Sequence, residues 1–349
     1  MKNKYTKAIK YAAAGLGIVL VAPFCPTMLH AMNRNYEPET GVIEQTMPIC
    51  EPLTEIKVVS FNIAHCRGPM TTGTAFELDY DMSIDSPQQV YKCLDDIAEM
   101  LVRENADIAL LQEIDRDAVW SYGIPFTKYL AEKSGMNYYA YGARYDFLWF
   151  PFPYMRENGK IEMTMHFDMG NAILSKYPLS GCENIAFDGQ SIKDWIVGEE
   201  RYLSCNADIN GKNVEIITTN LDAFSADNRI YESYQIIGHL QNEGLQGIIG
   251  GDLNALMPDA IPFMPNYNEA GYNETAMESL IASGMFNIYM LNVDPTDPRY
   301  HTSNTLGLFQ TVDYIIPTKN IEIKDYYVVN VELSDHMPVA ATIVIDDIQ

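Results

Sequence analysis

The chain has 349 residues, 47% of them hydrophobic and 20% charged, which is enough for one large domain with a sizeable core and excludes a disordered, collagen-like or low-complexity chain. Lys and Arg number 23 against 47 Asp and Glu, for a formal net charge of −24. A body of that sign repels polyanions at long range and disfavours tight, nonspecific DNA binding through a basic face, although a local cationic cleft stays open.

Residues 1–10 carry four lysines, and residues 11–24 (YAAAGLGIVLVAPF) are apolar and uncharged, the layout of a secretory signal. Leu29-His30-Ala31 offers a small-residue cleavage site, so residues 1–31 read as a signal peptide. Uncleaved, they read as an anchor that leaves the body outside by the positive-inside rule. The expectation is therefore export, either secreted or tethered to the outer face of a membrane. Removing this segment takes away four lysines and no acids, leaving −28. Six cysteines are present, five beyond residue 31, and there is no Cys-x-x-Cys spacing. Metal ribbons and thioredoxin-type chemistry are excluded, and one or two disulfides are allowed without the spacing choosing them.

Residues 32–54 are polar, with prolines and acids, and read as a linker. IKVVSFNI (56–63) is a β-branched run that reads as a buried strand. Ser86-Pro87 supplies an N-cap and a proline at N1, and Val90, Leu94, Ile97 and Leu101 follow at helical spacing. Further strands are expected at ADIALLQEI (106–114), NAILSK (171–176), RYLSCNAD (201–208) and VEIITTN (214–220). Ile230, Tyr234 and Ile237 mark a helix ending near Gly244, and QGIIGGDLN (246–254) is a strand running into a loop. Thr275-Ala-Met-Glu278 fits a capping box, with a helix ending at Gly284. TVDYIIP (311–317), IEIKDYYVVN (321–330) and PVAATIVI (338–345) close the chain. Strands outnumber helices, so residues 55–349 read as one α/β domain, and no nucleotide-binding Gly loop interrupts it.

The informative feature is positional. Asn62, Glu113, Asn220, Asp222, Asp252, Asn254, Asp313, Asp335 and His336 recur at the ends of apolar strands or just beyond them. Singly, each is an ordinary turn former; together they line one rim of a sheet, where loops build sites on a rigid scaffold. Carboxylates and amides with a single imidazole suit a hard cation, Mg²⁺ or Mn²⁺, better than zinc. A hard cation beside Asp and His points to attack of water on a phosphoryl group. His65 reads as a loop histidine rather than a ligand, His239 as a surface or packing residue, and His166 and His301 have no motif context.

SFNI (60–63), LLQE (110–113), GNAILSKYPL (170–179), TTNLDAF (218–224), GGDLNA (250–255), VDYI (312–315) and SDHMPV (334–339) together resemble the endonuclease/exonuclease/phosphatase superfamily, in that family's motif order. The resemblance implies a four-layer α/β sandwich, with two central mixed β-sheets flanked by helices and the site on one edge. By position it implies Glu113 as the main metal ligand, with Asn62 placing the metal or its water and Asp335 as a second acidic position beside it. Asp252 would align or activate the attacking water, and Asn254 would hold a phosphate oxygen. His336 would contact the scissile phosphate, with Asp313 oriented on its ring. Arg201 resembles, more loosely, a phosphate-contacting arginine. The expected partner is a phosphoester, as yet unspecified.

Two positions depart from the family pattern. Where the family often has Thr-His-Leu with a general-acid histidine, the chain has Thr219-Asn220-Leu221, and an amide donates no proton at neutral pH. Asn220 is then a phosphate-binding residue, and the leaving group draws its proton from metal-bound water or His336. Where some members carry a second metal-site acid, the chain has Ala64, which implies one tightly held metal. The segment 146–155 has five aromatics and two prolines, and reads either as a packed loop or as an apolar wall touching a lipid or membrane surface. Three readings follow: an exported metal-dependent phosphohydrolase, a secreted nuclease on DNA or RNA with the same chemistry, and a noncatalytic binding module that kept the fold. Oligomeric state stays open.

Overall fold

The run beginning at Glu55 forms an eight-residue strand because its residues alternate between two apolar layers. The computed structural model describes residues 25–43, 54–68, 86–148, 154–155, 161–162, 166–190, 194–195, 198–263, 275–303 and 310–345. In chain order the helices are α1 (Cys25–Met32), α2 (Pro87–Arg103), α3 (Phe126–Ser134), α4 (Ala226–Glu243) and α5 (Ala276–Ser283). The strands are β1 (Glu39–Val42), β2 (Glu55–Asn62), β3 (Ile108–Asp115), β4 (Tyr138–Phe147), β5 (Tyr154–Met155), β6 (Ile161–Glu162), β7 (Phe167–Ser175), β8 (Leu179–Ala186), β9 (Arg201–Ile209), β10 (Lys212–Asn220), β11 (Gly247–Asp252), β12 (Asp313–Pro317), β13 (Ile323–Val328) and β14 (Val339–Val344).

One sheet has seven strands in the order β1-β4-β7-β3-β2-β14-β13, and the other has five, β12-β11-β10-β9-β8. Both are mixed: β2 runs parallel to β3 and β10 parallel to β11, while the remaining pairs are antiparallel. Ile56, Val58, Ile108 and Leu110 face inward and pack with Leu203, Ile216, Ile248 and Ile315 of the second sheet. The alternate residues Val59, Phe61, Ala109 and Leu111 face outward beneath Val90, Leu94, Ile97 and Leu101 of α2 and Leu130 of α3. Ile236 and Leu240 of α4 and Met277 and Leu280 of α5 join the core of the second sheet. The result is the expected four-layer sandwich of helices, sheet, sheet and helices. The sheets meet closely at Gly250, where a β-carbon would lie 2.3 Å from Leu110 Cδ1. Gln112 spans the same interface, its Nε2 donating to Thr218 Oγ1 at 2.9 Å.

Local signals explain most boundaries. Ser86 caps α2 reciprocally: its Oγ accepts from Gln89 N at 3.3 Å, and its own N–H donates to Gln89 Oε1 at 3.1 Å. Gly244 and Gly284 end α4 and α5 in the left-handed conformation. Thr275 caps α5 by accepting from Met277 N at 3.0 Å, without the return bond that the Thr-x-x-Glu spacing suggested. The buried face of α4 is Arg229, Glu232, Ser233, Ile236, Ile237 and Leu240, while Tyr234, expected on the core stripe, is exposed. Residues 39–42, expected in the linker, form an edge strand on β4. α1 overlaps the end of the segment read as a signal or anchor and runs one residue past it, and residues 1–24 lie outside the described residues. Residues 149–153 of the aromatic segment also lie outside them. Among the described residues, no helix is long and apolar enough to cross a membrane. Cys182 and Cys205 form a disulfide joining β8 to β9.

Candidate active site

Sheet register brings the distant motifs side by side. Asn220 at the end of β10 pairs with Asp252 at the end of β11, and Asp252 pairs with Asp313 at the start of β12. In the other sheet, Asn62 ends β2 opposite Gln112, the residue before Glu113. β3 bulges there: Leu111 faces Ala172 and Ile114 faces Gly170, so Gln112 and Glu113 together oppose one residue of β7. A bulge re-aims its side chains, and Glu113 turns toward the second sheet with a left-handed φ of 52°.

A hydrogen-bonded cluster results. Asn62 Nδ2 donates to Glu113 Oε1 at 3.2 Å and to Asp252 Oδ2 at 3.1 Å. Asn220 Nδ2 donates to Glu113 Oε1 at 3.3 Å, and Asn254 Nδ2 donates to Asn220 Oδ1 at 3.1 Å. Asp252 Oδ1 accepts from the Asn254 backbone N at 2.9 Å. His336 Nδ1 lies 2.8 Å from Asp313 Oδ2, and its Nε2 faces Asp252 Oδ2 across 3.7 Å. Asp335 is half-buried beside the cluster, its Oδ1 accepting from Ser334 Oγ at 3.1 Å.

The charges are strongly coupled. Burial pushes the Asp252 carboxyl up to about 7, with His336 opposing the rise and Asp313 adding to it. Burial alone would keep His336 neutral, but the Asp313 and Asp252 carboxylates outweigh it and hold the imidazole well above its usual range. Burial also acts to raise Glu113, yet His65, His336 and Arg67 facing it bring its carboxyl below the ordinary value.

His65, expected as a loop histidine, belongs to this site. After β2 the backbone turns through Ala64, His65 and Cys66, all left-handed (φ 43°, 55° and 61°), which tucks the imidazole beneath Glu113. His65 Nε2 lies 3.4 Å from Glu113 Oε2, and Nδ1 lies 2.7 Å from buried Asp115. Trp120 Nε1 donates to the other Asp115 oxygen at 2.6 Å, and its ring packs edge-on to His65. Thr302 is a further residue absent from the expected set. Its hydroxyl accepts from the backbone N of Val312 and of Asp313, and its carbonyl accepts from Met337 N at 2.6 Å, which fixes the Asp313–His336 pair from both sides. The adjacency of His65 and Arg67 to Asn62 is the available signal for the first group; Thr302 offers none.

Arg201 is the exception among the expected residues. It begins β9, but its guanidinium pairs with Glu199, donates to Asn184 O at 2.6 Å and stacks 3.7 Å over the Tyr36 ring. These contacts hold it away from a phosphate-binding role, because the carboxylate two residues earlier captures its charge. Asp222 also stands apart, holding the turn that leads into α4 by accepting from Phe224 N and Asn228 Nδ2, while Ser225 caps the helix. His239 packs as expected, half-buried against Tyr202 and 3.7 Å from Glu215.

The donor set fits a hard divalent cation. Glu113, Asp252, Asp313 and Asp335 concentrate oxygen donors on one rim, Glu113 is half-buried rather than sealed, and the nitrogens of His336 face carboxylates.

The profile of the Endonuclease/Exonuclease/phosphatase family matches residues 59–336. No curated protein matches. Among solved structures, an endonuclease/exonuclease/phosphatase from Beutenbergia cavernae aligns with a TM-score of 0.59 at 18% identity, covering 84% of this chain and 72% of that one. The human Nocturnin catalytic domain with bound sulfate anion aligns at 0.53 and 16% identity, over 88% and 96% of the two chains. A mannosyl-6-phosphatase from Bacteroides thetaiotaomicron aligns at 0.51 and 14% identity, over 83% and 100%. At these identities the similarity concerns the fold.

Proposed function

The chain belongs to the endonuclease/exonuclease/phosphatase family, whose members hydrolyse phosphoesters, and from that premise we propose that it is an exported, Mg²⁺-dependent phosphohydrolase acting on a small or lipid-headgroup phosphoester. The observation that carries this reading is the meeting of Asn62, Glu113, Asn220, Asp252, Asn254 and the Asp313–His336 pair on one rim. A net charge of −24 favours a small anionic substrate over a polynucleotide.

Glu113 and Asn62, with Asp335 beside them, would hold the cation. When bound, it supplies charge that polarises the phosphoryl group and steadies the leaving oxygen. The chain's own groups do the rest. Asp252, a carboxylate facing His336 at the end of β11, would orient a water and take its proton. His336, held as imidazolium by Asp313, would present Nε2–H toward a phosphoryl oxygen bound next to Asp252. Asn220 and Asn254 offer amide groups to the remaining oxygens. Asn220 supplies no proton, so the leaving group draws one from His336 or from solvent.

Export is supported by the Cys182–Cys205 disulfide and by the lysine-then-apolar N-terminus. The test is a panel of lipid, nucleotide, sugar-phosphate and DNA phosphoesters, assayed with and without chelator and with Glu113→Ala. Turnover abolished by both is expected. Activity that survives both refutes the proposed metal site, and specific ligand binding without turnover favours the binding-module reading.

A further inference from the structure

Outside the catalytic cluster, three more ligand-type side chains converge on one point. His30 comes from α1, Asp146 is the penultimate residue of β4, and His166 immediately precedes β7. His30 Nε2 lies 2.6 Å from Asp146 Oδ1, and His166 Nε2 lies 3.4 Å from the same oxygen. One ligand atom from each residue lies within 4.8 Å of the other two. The two imidazoles meet edge to face, with centroids 6.0 Å apart, so their nitrogens converge without stacking. Asp146 is buried and both histidines are half-buried.

Sheet pairing fixes two of the three. Phe147 opposes Phe167 and Asp146 opposes Asp168 in the β4–β7 ladder, which sets Asp146 beside the residue that enters β7. The other nitrogen of His166, Nδ1, faces Asp117 Oδ2 at 3.4 Å. A carboxylate behind a histidine fixes the tautomer with its lone pair on the far nitrogen, here the one aimed at Asp146.

We propose that His30, Asp146 and His166 form a second metal site, for a zinc-class ion, which clamps α1 to the rim of the seven-stranded sheet. Two imidazoles and one carboxylate suit a borderline ion such as Zn²⁺ better than Mg²⁺. Tetrahedral Zn²⁺ with bonds of about 2.0–2.1 Å sets neighbouring donors about 3.3 Å apart. The His166–Asp146 spacing already matches this, and the His30–Asp146 pair has to open by about 0.7 Å. Water completes the fourth position. Trp120 and Phe167 pack against His65, and Phe147, next to Asp146, stacks on the far side of that apolar group, so the two centres are distinct. Because His30 is a ligand, cleavage after Ala31 would dismantle the site, and a bound ion marks the form that keeps α1.

The test uses the full chain, stripped with chelator in detergent and then titrated with Zn²⁺ by calorimetry and with Co²⁺ by visible absorption. The expected result is one zinc-class ion that persists in Glu113→Gln and weakens at least about tenfold in both His30→Ala and His166→Ala. Loss of the outer carboxylate in Asp117→Asn should weaken it about 10–100-fold. Circular dichroism confirms that each variant is folded; His30 lies on a peripheral helix, so His30→Ala stays informative if His166→Ala does not fold. Zinc binding unchanged by His30→Ala, absent altogether, or abolished by Glu113→Gln alone would overturn the proposal. None of these outcomes depends on phosphoester turnover.

Discussion

Glu232 offers a direct test of the electrostatics beneath the site. It lies on the buried face of α4, and its Oε2 accepts the backbone N–H of Asp222 at 2.9 Å, two residues past Asn220. Burial, with Glu200 adding and Arg144 opposing, pushes its carboxyl from 4.5 up to about 8. The unfolded chain therefore releases this proton near pH 4.5, while the folded chain keeps it to about 8. Across that window the folded state binds more protons, so stability falls as pH rises, and the full penalty is present above pH 8. At about 1.4 kcal/mol per unit the penalty is of the order of 3–5 kcal/mol. Glu232→Gln keeps an acceptor for Asp222 and removes the ionisation. Relative to the unchanged protein, it should be within about 1 kcal/mol at pH 5 and more stable by about 3 kcal/mol at pH 9. Urea unfolding followed by circular dichroism at pH 5, 7 and 9 measures this. A stability difference that does not change with pH would refute the reasoning.

Three other outcomes are expected. Asp313→Asn keeps the side-chain shape but removes the charge facing His336 Nδ1, so kcat should fall about 10²–10⁴-fold and the His336 pKa should drop in an NMR titration. Glu113→Gln should weaken Mg²⁺ binding at least about tenfold by calorimetry, since a hard cation loses its anionic oxygen; unchanged affinity would place the cation elsewhere. Cys66 is buried and hydrogen-bonded to Cys93, so oxidised protein should yield a second disulfide in a non-reducing peptide map; quantitative alkylation of both thiols would contradict this.

What is legible in the chain follows from what sheets and turns write into sequence. β2, β3, β10 and β11 are largely buried on both faces, so they read as mostly apolar runs, and a polar residue at or near the end of each, Asn62, Glu113, Asn220 and Asp252, reaches the site. β4 (YYAYGARYDF) escapes such a reading because its buried Arg144 breaks the run, and only the tertiary pairing with Glu200 makes that burial tolerable. β8 is an edge strand with no buried face to impose alternation. α3 starts after Pro125 without a side-chain cap, so it carries no start signal. The place of His65 is hidden because it depends on three consecutive left-handed residues, none of them glycine. Arg201 looks available to substrate only until the carboxylate of Glu199, two residues away, is seen to take its charge first.

That backbone strain bears on function independently of any family resemblance. Among the described residues, eight that are not glycine adopt positive φ, and five of them, Ala64, His65, Cys66, Glu113 and Asn254, belong to the cluster or the turn beneath it. Left-handed geometry costs such residues about 1–2 kcal/mol each. The cluster also buries Asp252 and Asp313 against each other, with Asp313 Oδ1 lacking a hydrogen-bond partner among the described residues. A purely structural rim would relax both features by single substitutions, Ala64→Gly for the strain or Asp252→Asn for the charge. Their concentration around one half-buried carboxylate is what a preorganised site for an ion and an anionic substrate requires, because the rigid sandwich holds the strained turns in place and a bound cation offsets the like charge. Asp252→Asn should therefore stabilise the metal-free protein while abolishing turnover; a variant that loses both stability and turnover would instead make Asp252 a structural residue.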